Sequence, residues 1–88
     1  MYKALIVDDE RLDREGLKGQ IDWEFLDIVM VDTAKNGFEA LKIIEESKPD
    51  IMITDVKMPG MSGMDLAQKA TEILPDIKII FVSGFDDF

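Results

Sequence analysis

Four short, unbroken apolar runs set the limits on what this chain can fold into: Ala4-Leu5-Ile6-Val7, Ile28-Val29-Met30-Val31, Ile51-Met52-Ile53-Thr54 and Ile79-Ile80-Phe81-Val82. A run of about five residues with no polar alternation is a strand buried on both faces, as inside a parallel sheet. The segments between the runs carry helical period. From Glu10 to about Gln20 charges dominate, with Leu12, Leu17 and Ile21 spaced loosely along one face. Asn36 and Glu39 stand three apart ahead of Ala40, Leu41 and Ile44, the pattern of a capping box that opens an amphipathic helix. Lys48-Pro49 ends that helix, because the residue before proline is pushed out of the helical region. Ser62 and Asp65 form a weaker box, followed by a buried stripe of Leu66, Ala67, Ala70, Ile73 and Leu74, and Pro75 stops the third helix. The pattern βαβαβαβ predicts one α/β domain built on a parallel sheet with helices on both faces. Nothing after Val82 is long enough for a closing helix, so the chain is expected to end on a strand and a short tail.

Composition removes whole classes of chemistry. Across 88 residues there is neither cysteine nor histidine, and ten basic residues face nineteen acidic ones for a net charge of −9. Disulfides, thiolate and imidazole ligands, cysteine nucleophiles and serine–histidine catalysis are therefore excluded within this chain. The acidic balance argues against direct contact with a nucleic-acid backbone or an anionic membrane. No apolar run approaches the roughly 18 residues of a membrane span, and the start lacks a signal-peptide stretch, so a cytoplasmic location is expected. Any metal chemistry falls to carboxylates, and oxygen-only ligation favours magnesium, calcium or manganese.

Carboxylates stand where an open parallel sheet places its ligands, at the carboxyl ends of the strands. Asp8 and Asp9 follow the first run, Asp55 follows the third, and Ser83 follows the fourth. If the first and third strands are neighbours, three carboxylates converge and repel one another unless a cation sits among them. A carboxylate can also act as a nucleophile and form an acyl phosphate, and a Ser83 hydroxyl could donate to a phosphoryl oxygen. Each residue has a plainer reading: Asp8 or Asp9 as a helix N-cap, Asp55 as a turn initiator, Ser83-Gly84 as a strand exit. Met58, Met61 and Met64 read as loop and core filler, and Trp23 as a packing residue at the first helix exit. The conjunction of three strand ends carries the signal.

Three segments carry a family resemblance. Leu5-Ile6-Val7-Asp8-Asp9-Glu10, the run Ile51–Asp55 with Met58-Pro59 and Gly63, and Ile79-Ile80-Phe81-Val82-Ser83-Gly84 resemble the receiver domain of bacterial two-component response regulators. The resemblance implies a flavodoxin-like doubly wound sheet of strand order 2-1-3-4-5. It implies Asp55 as phospho-acceptor, with Mg2+ bound directly by Asp9 and Asp55, by Asp8 through water, and by the carbonyl of Lys57. Ser83 and Gly84 would contact the phosphoryl group, and a sensor histidine kinase would supply it. Ile21-Asp22-Trp23-Glu24 and the tail from Ser83 to Phe88 are similar to receivers joined to an AraC-type helix-turn-helix output domain, through which DNA would be reached.

Some of the family pattern is absent. Ser62 stands where many relatives carry aspartate, and the lysine that closes the fifth strand has no counterpart, since Lys78 opens the fourth run. Residues 1–88 are thus expected to be a receiver domain lacking its last α-β-α portion, with an exposed fourth strand that favours self-association. Two other readings compete. A haloacid-dehalogenase-like phosphatase would end its first strand in aspartate–x–aspartate, whereas Glu10 stands two after Asp8. A degenerate receiver used only for docking would not need Asp8, Asp9, Asp55 and Ser83 together.

Overall fold

Each apolar run becomes a strand of one sheet. The computed structural model describes residues 1–82, in the order β1 (Tyr2–Val7), α1 (Arg11–Gln20), β2 (Ile28–Ala34), α2 (Gly37–Ser47), β3 (Ile51–Asp55), α3 (Gly63–Ile73) and β4 (Lys78–Val82). All pairings are parallel and the spatial order is β2-β1-β3-β4. The α/β class and the first four places of the expected strand order hold. Moving from β1 to β2 steps one way along the sheet, while β2 to β3 and β3 to β4 step the other. Right-handed crossovers then put α1 on one face and α2 with α3 on the other.

The core lies under α2 and α3. Leu5, Val7 and Met52 point from the sheet toward Ala40, Ile44, Leu66 and Ala70. The alternate residues Ala4, Ile6 and Ile53 are buried as well, so β1 and β3 are covered on both sides as the unbroken runs require. Met58 and Met61 fill the core, whereas Met64 is exposed. No helix among the described residues is long and apolar enough to cross a membrane.

The elements depart from expectation in three places. β2 runs on through Asp32-Thr33-Ala34, because β1 pairs with it as far as Val7↔Ala34 and a sheet edge tolerates polar side chains. The buried stripe of α3 narrows to Leu66 and Ala70, with Ala67 half-buried and Ile73 turned outward near the helix end. In α1 no residue is buried, and Leu12 is 81% exposed although it belongs to the expected apolar face. Trp23 is half-buried and donates its indole N–H to the Lys18 carbonyl at 2.8 Å, which closes the helix exit as expected.

The caps explain where α2 and α3 start and stop. Asn36 Oδ1 accepts from the Glu39 N–H at 2.8 Å, but Glu39 reaches back to the Lys35 N–H rather than to that of Asn36. Ser62 Oγ accepts from the Asp65 N–H at 3.1 Å. Before Pro49, Lys48 adopts a left-handed conformation (φ 50°) and donates its N–H to the Ile44 carbonyl, ending α2. Replacing Asn36 with alanine should cost about 1 kcal/mol. In urea this should appear as a lower midpoint with an unchanged slope, and an unaltered midpoint would show that the cap contributes nothing.

Candidate active site at the carboxyl end of the sheet

The pairing of β1 with β3 brings the acidic residues together. Val7 lies opposite Thr54, so the next residue on each strand, Asp8 and Asp55, leaves the sheet side by side. The side chain of Thr54 is fully buried and its hydroxyl donates to the Asp55 carbonyl at 3.0 Å. Asp8 is only 3% exposed. Its N–H donates to the Ala34 carbonyl of β2 at 3.1 Å, and its Oδ1 accepts from the Glu10 N–H at 2.9 Å. The helix N-cap is Glu10 rather than either aspartate, and no side chain caps it. Arg14 of α1 donates from Nη1 to the Asp8 carbonyl at 2.7 Å.

A tight loop holds Asp55 from the other side. Gly63 N–H donates to the Val56 carbonyl at 2.8 Å, folding residues 56–63 back onto the end of β3. A Cβ on Gly63 would collide with the Asp55 carbonyl oxygen and come within 3.0 Å of its carbon, both backbone atoms that cannot yield cheaply. Gly60 takes a positive φ of 82°, a turn conformation suited to glycine. Met61, buried in this loop, lies against Gly37 at the start of α2, where a Cβ would come within 2.6 Å of its sulfur.

Asp8, Asp9 and Asp55 each offer one carboxylate oxygen, and these lie within 4.8 Å of one another. The set grades from buried Asp8 through half-buried Asp55 to exposed Asp9. Burial pushes the Asp8 carboxyl up from 3.8 to about 6; the Glu10 N–H opposes that shift, and the charges of Asp55, Asp13 and Asp9 add to it. Three converging hard oxygens with mutual repulsion fit a small divalent cation, which would offset the charge that raises Asp8.

Other residues singled out in the sequence fall elsewhere. Lys57 is exposed in the loop two residues after Asp55. Ser83 and Gly84 lie outside the described residues. Lys78 pairs with Ile51 and donates its N–H to the Asp50 carbonyl, at the end of the sheet opposite the carboxylates. Two contributors were not legible as such: the tie from Arg14, whose only signal is a basic residue one turn into the helix after an acidic pair, and the near-contact of Gly63 with the Asp55 backbone.

Comparison with known proteins gives a consistent answer. The family model of the response regulator receiver domain matches residues 4–88. The chain is 46% identical over all 88 residues to the uncharacterized transcriptional regulatory protein YesN of Bacillus subtilis, of which it spans 24%. It thus covers about a quarter of that relative's length. A crystal structure of a two-component transcriptional regulator AraC from Clostridium phytofermentans superimposes with a TM-score of 0.92 at 39% identity, covering 99% of this chain and 70% of that one. The response regulator protein TrrA of Thermotoga maritima, in complex with Mg2+ and BeF, superimposes with a TM-score of 0.83 at 37% identity, covering 99% of this chain and 73% of that one.

A cation bound among these carboxylates should bind in a pH-dependent way, because the Asp8 carboxyl is raised. Because the folded-state value lies above 3.8, protonated Asp8 favours the folded metal-free protein at low pH, and that contribution is lost as pH rises through about 6. A bound cation acts oppositely, since it requires the ionised form. Magnesium affinity measured by calorimetry should be flat above pH 7 and fall below pH 6, approaching about tenfold per unit for one displaced proton. Asp8→Asn should remove this dependence; an affinity unchanged between pH 5 and pH 7 in the parent protein would contradict it.

Proposed function

The chain belongs to the response regulator receiver domain family, and from that premise we propose that residues 1–88 form most of a receiver in which Asp55 accepts a phosphoryl group from a sensor histidine kinase. The observation that carries this reading is the convergence of Asp55 with Asp8 and Asp9. An oxygen of the Asp55 carboxylate attacks phosphorus, the P–N bond to the kinase imidazole breaks, and an acyl phosphate forms. Asp9 and Asp55 would hold Mg2+, with Asp8 acting mainly through water and the Lys57 carbonyl also facing the metal. Bound Mg2+ supplies positive charge that offsets the carboxylates and the incoming phosphoryl oxygens. Ser83 and Gly84 take the phosphoryl-contacting and switch role. The complex of TrrA with Mg2+ and BeF supports the assignment of the metal.

The family is a signalling one rather than one of conventional enzymes, and its assignment decides against the phosphatase alternative. Self-catalysed loss of the phosphoryl group by hydrolysis would reset Asp55. The relatives' names, a transcriptional regulatory protein and a two-component transcriptional regulator AraC, support a DNA-binding output reached through another domain rather than through this acidic segment. A cytoplasmic location follows from such an output. Coverage of 70% and 73% of the two solved chains supports reading residues 1–88 as the first four strands of the domain.

Two measurements test the reading. A small acyl-phosphate donor with Mg2+ should add one phosphoryl group, seen as an increment in intact mass, and Asp55→Asn should abolish it. Label found on Ser83 or Asp9 would sink the assignment. The self-association expected of the 88-residue polypeptide along β4 is the second point to test. Sedimentation at micromolar concentration should show a dimer or larger species; a stable monomer would refute the pairing.

A further inference from the structure

We infer that Arg14 is the positioning residue of the acidic pair, holding the backbone from which the Asp8 and Asp9 carboxylates project. The inference deepens the reading that these carboxylates, with Asp55, bind a divalent cation. The half-buried Arg14 guanidinium donates to the Asp8 carbonyl at 2.7 Å, a charge-assisted bond across six residues. The peptide unit is planar, so a fixed Asp8 carbonyl also fixes the Cα of Asp9. The other ties of this turn act upstream and on the side chain: the Asp8 N–H on β2 and the Asp8 Oδ1 on the Glu10 N–H. Among the described residues, Arg14 is the side chain that bonds the peptide between the two aspartates. The N-cap of α1, Glu10, makes no side-chain bond that could share this role. Arg11, three residues earlier, pairs instead with Glu15 on the exposed face, so the two arginines of α1 differ in what they hold.

The sign of one measurement separates positioning from charge. Removing a positive charge beside carboxylates would by Coulomb attraction alone tighten cation binding. Loss of a positioning contact loosens it. In the full chain, Arg14→Met should weaken Mg2+ binding, measured by calorimetry, by about tenfold, and Arg14→Lys should recover part of the loss. Arg11→Met is the control and should stay within about twofold, as an exposed pair contributes little. In the metal-free protein, hydrogen exchange at the Glu10 N–H should quicken by about tenfold in Arg14→Met while that of Ile6 in β1 stays slow, which also shows that the fold is intact. Affinity equal to or tighter than that of the parent protein, or unchanged Glu10 exchange, overturns the inference. If the parent protein itself binds no Mg2+, the cation reading fails, and the exchange result alone decides whether Arg14 holds this turn.

Discussion

The parallel pairing of β1 with β3 is the interaction on which everything else here depends. It aligns Ala4 with Ile51 and Val7 with Thr54, and it is buried on both faces. A slip of one residue would exchange the two faces of β3, sending Met52 and Thr54 away from α2 and α3. The same slip would separate Asp8 from Asp55. Correct burial of four apolar residues and correct placement of two carboxylates are thus one geometric condition. The acidic cluster is expensive by itself, since like charges meet where water is partly excluded.

The two flanking loops convert strand ends into a site. On the β1 side, the turn through Asp8 and Asp9 is tied to β2, to Glu10 and to Arg14. On the β3 side, Gly63 lies so close to the Asp55 backbone that no side chain fits between. Met61 then couples this loop to the first turn of α2 through its contact with Gly37.

Much of this was legible in the sequence because it follows from local rules. The apolar runs gave strands, Asn36 and Ser62 gave helix starts, and Pro49 and Pro75 gave stops. The Asp8, Asp9 and Asp55 set followed from strand ends alone once β1 and β3 were taken as neighbours. What was not legible depends on three-dimensional neighbours. The polar end of β2 is strand only because β1 continues beside it. Leu12, read as part of one loose apolar face, is exposed among the described residues. Arg14 carried no periodic or motif signal, since its role depends on a carbonyl six residues earlier.

The β1–β3 register also orders events during synthesis. Every residue of β1 that pairs with β3 waits for a partner 47 positions later in the chain. At a ribosomal rate of about 5–20 residues per second, that partner emerges roughly 2–10 s after β1 does. Until then Ala4–Val7, among the most apolar segments of the chain, can pair only with β2. No hairpin is available to shelter it, because parallel strands cannot be joined by a tight turn. A nascent chain therefore carries an unsatisfied central strand while the intervening residues are made, and a chaperone that binds short extended apolar segments would find a target in Ala4–Val7.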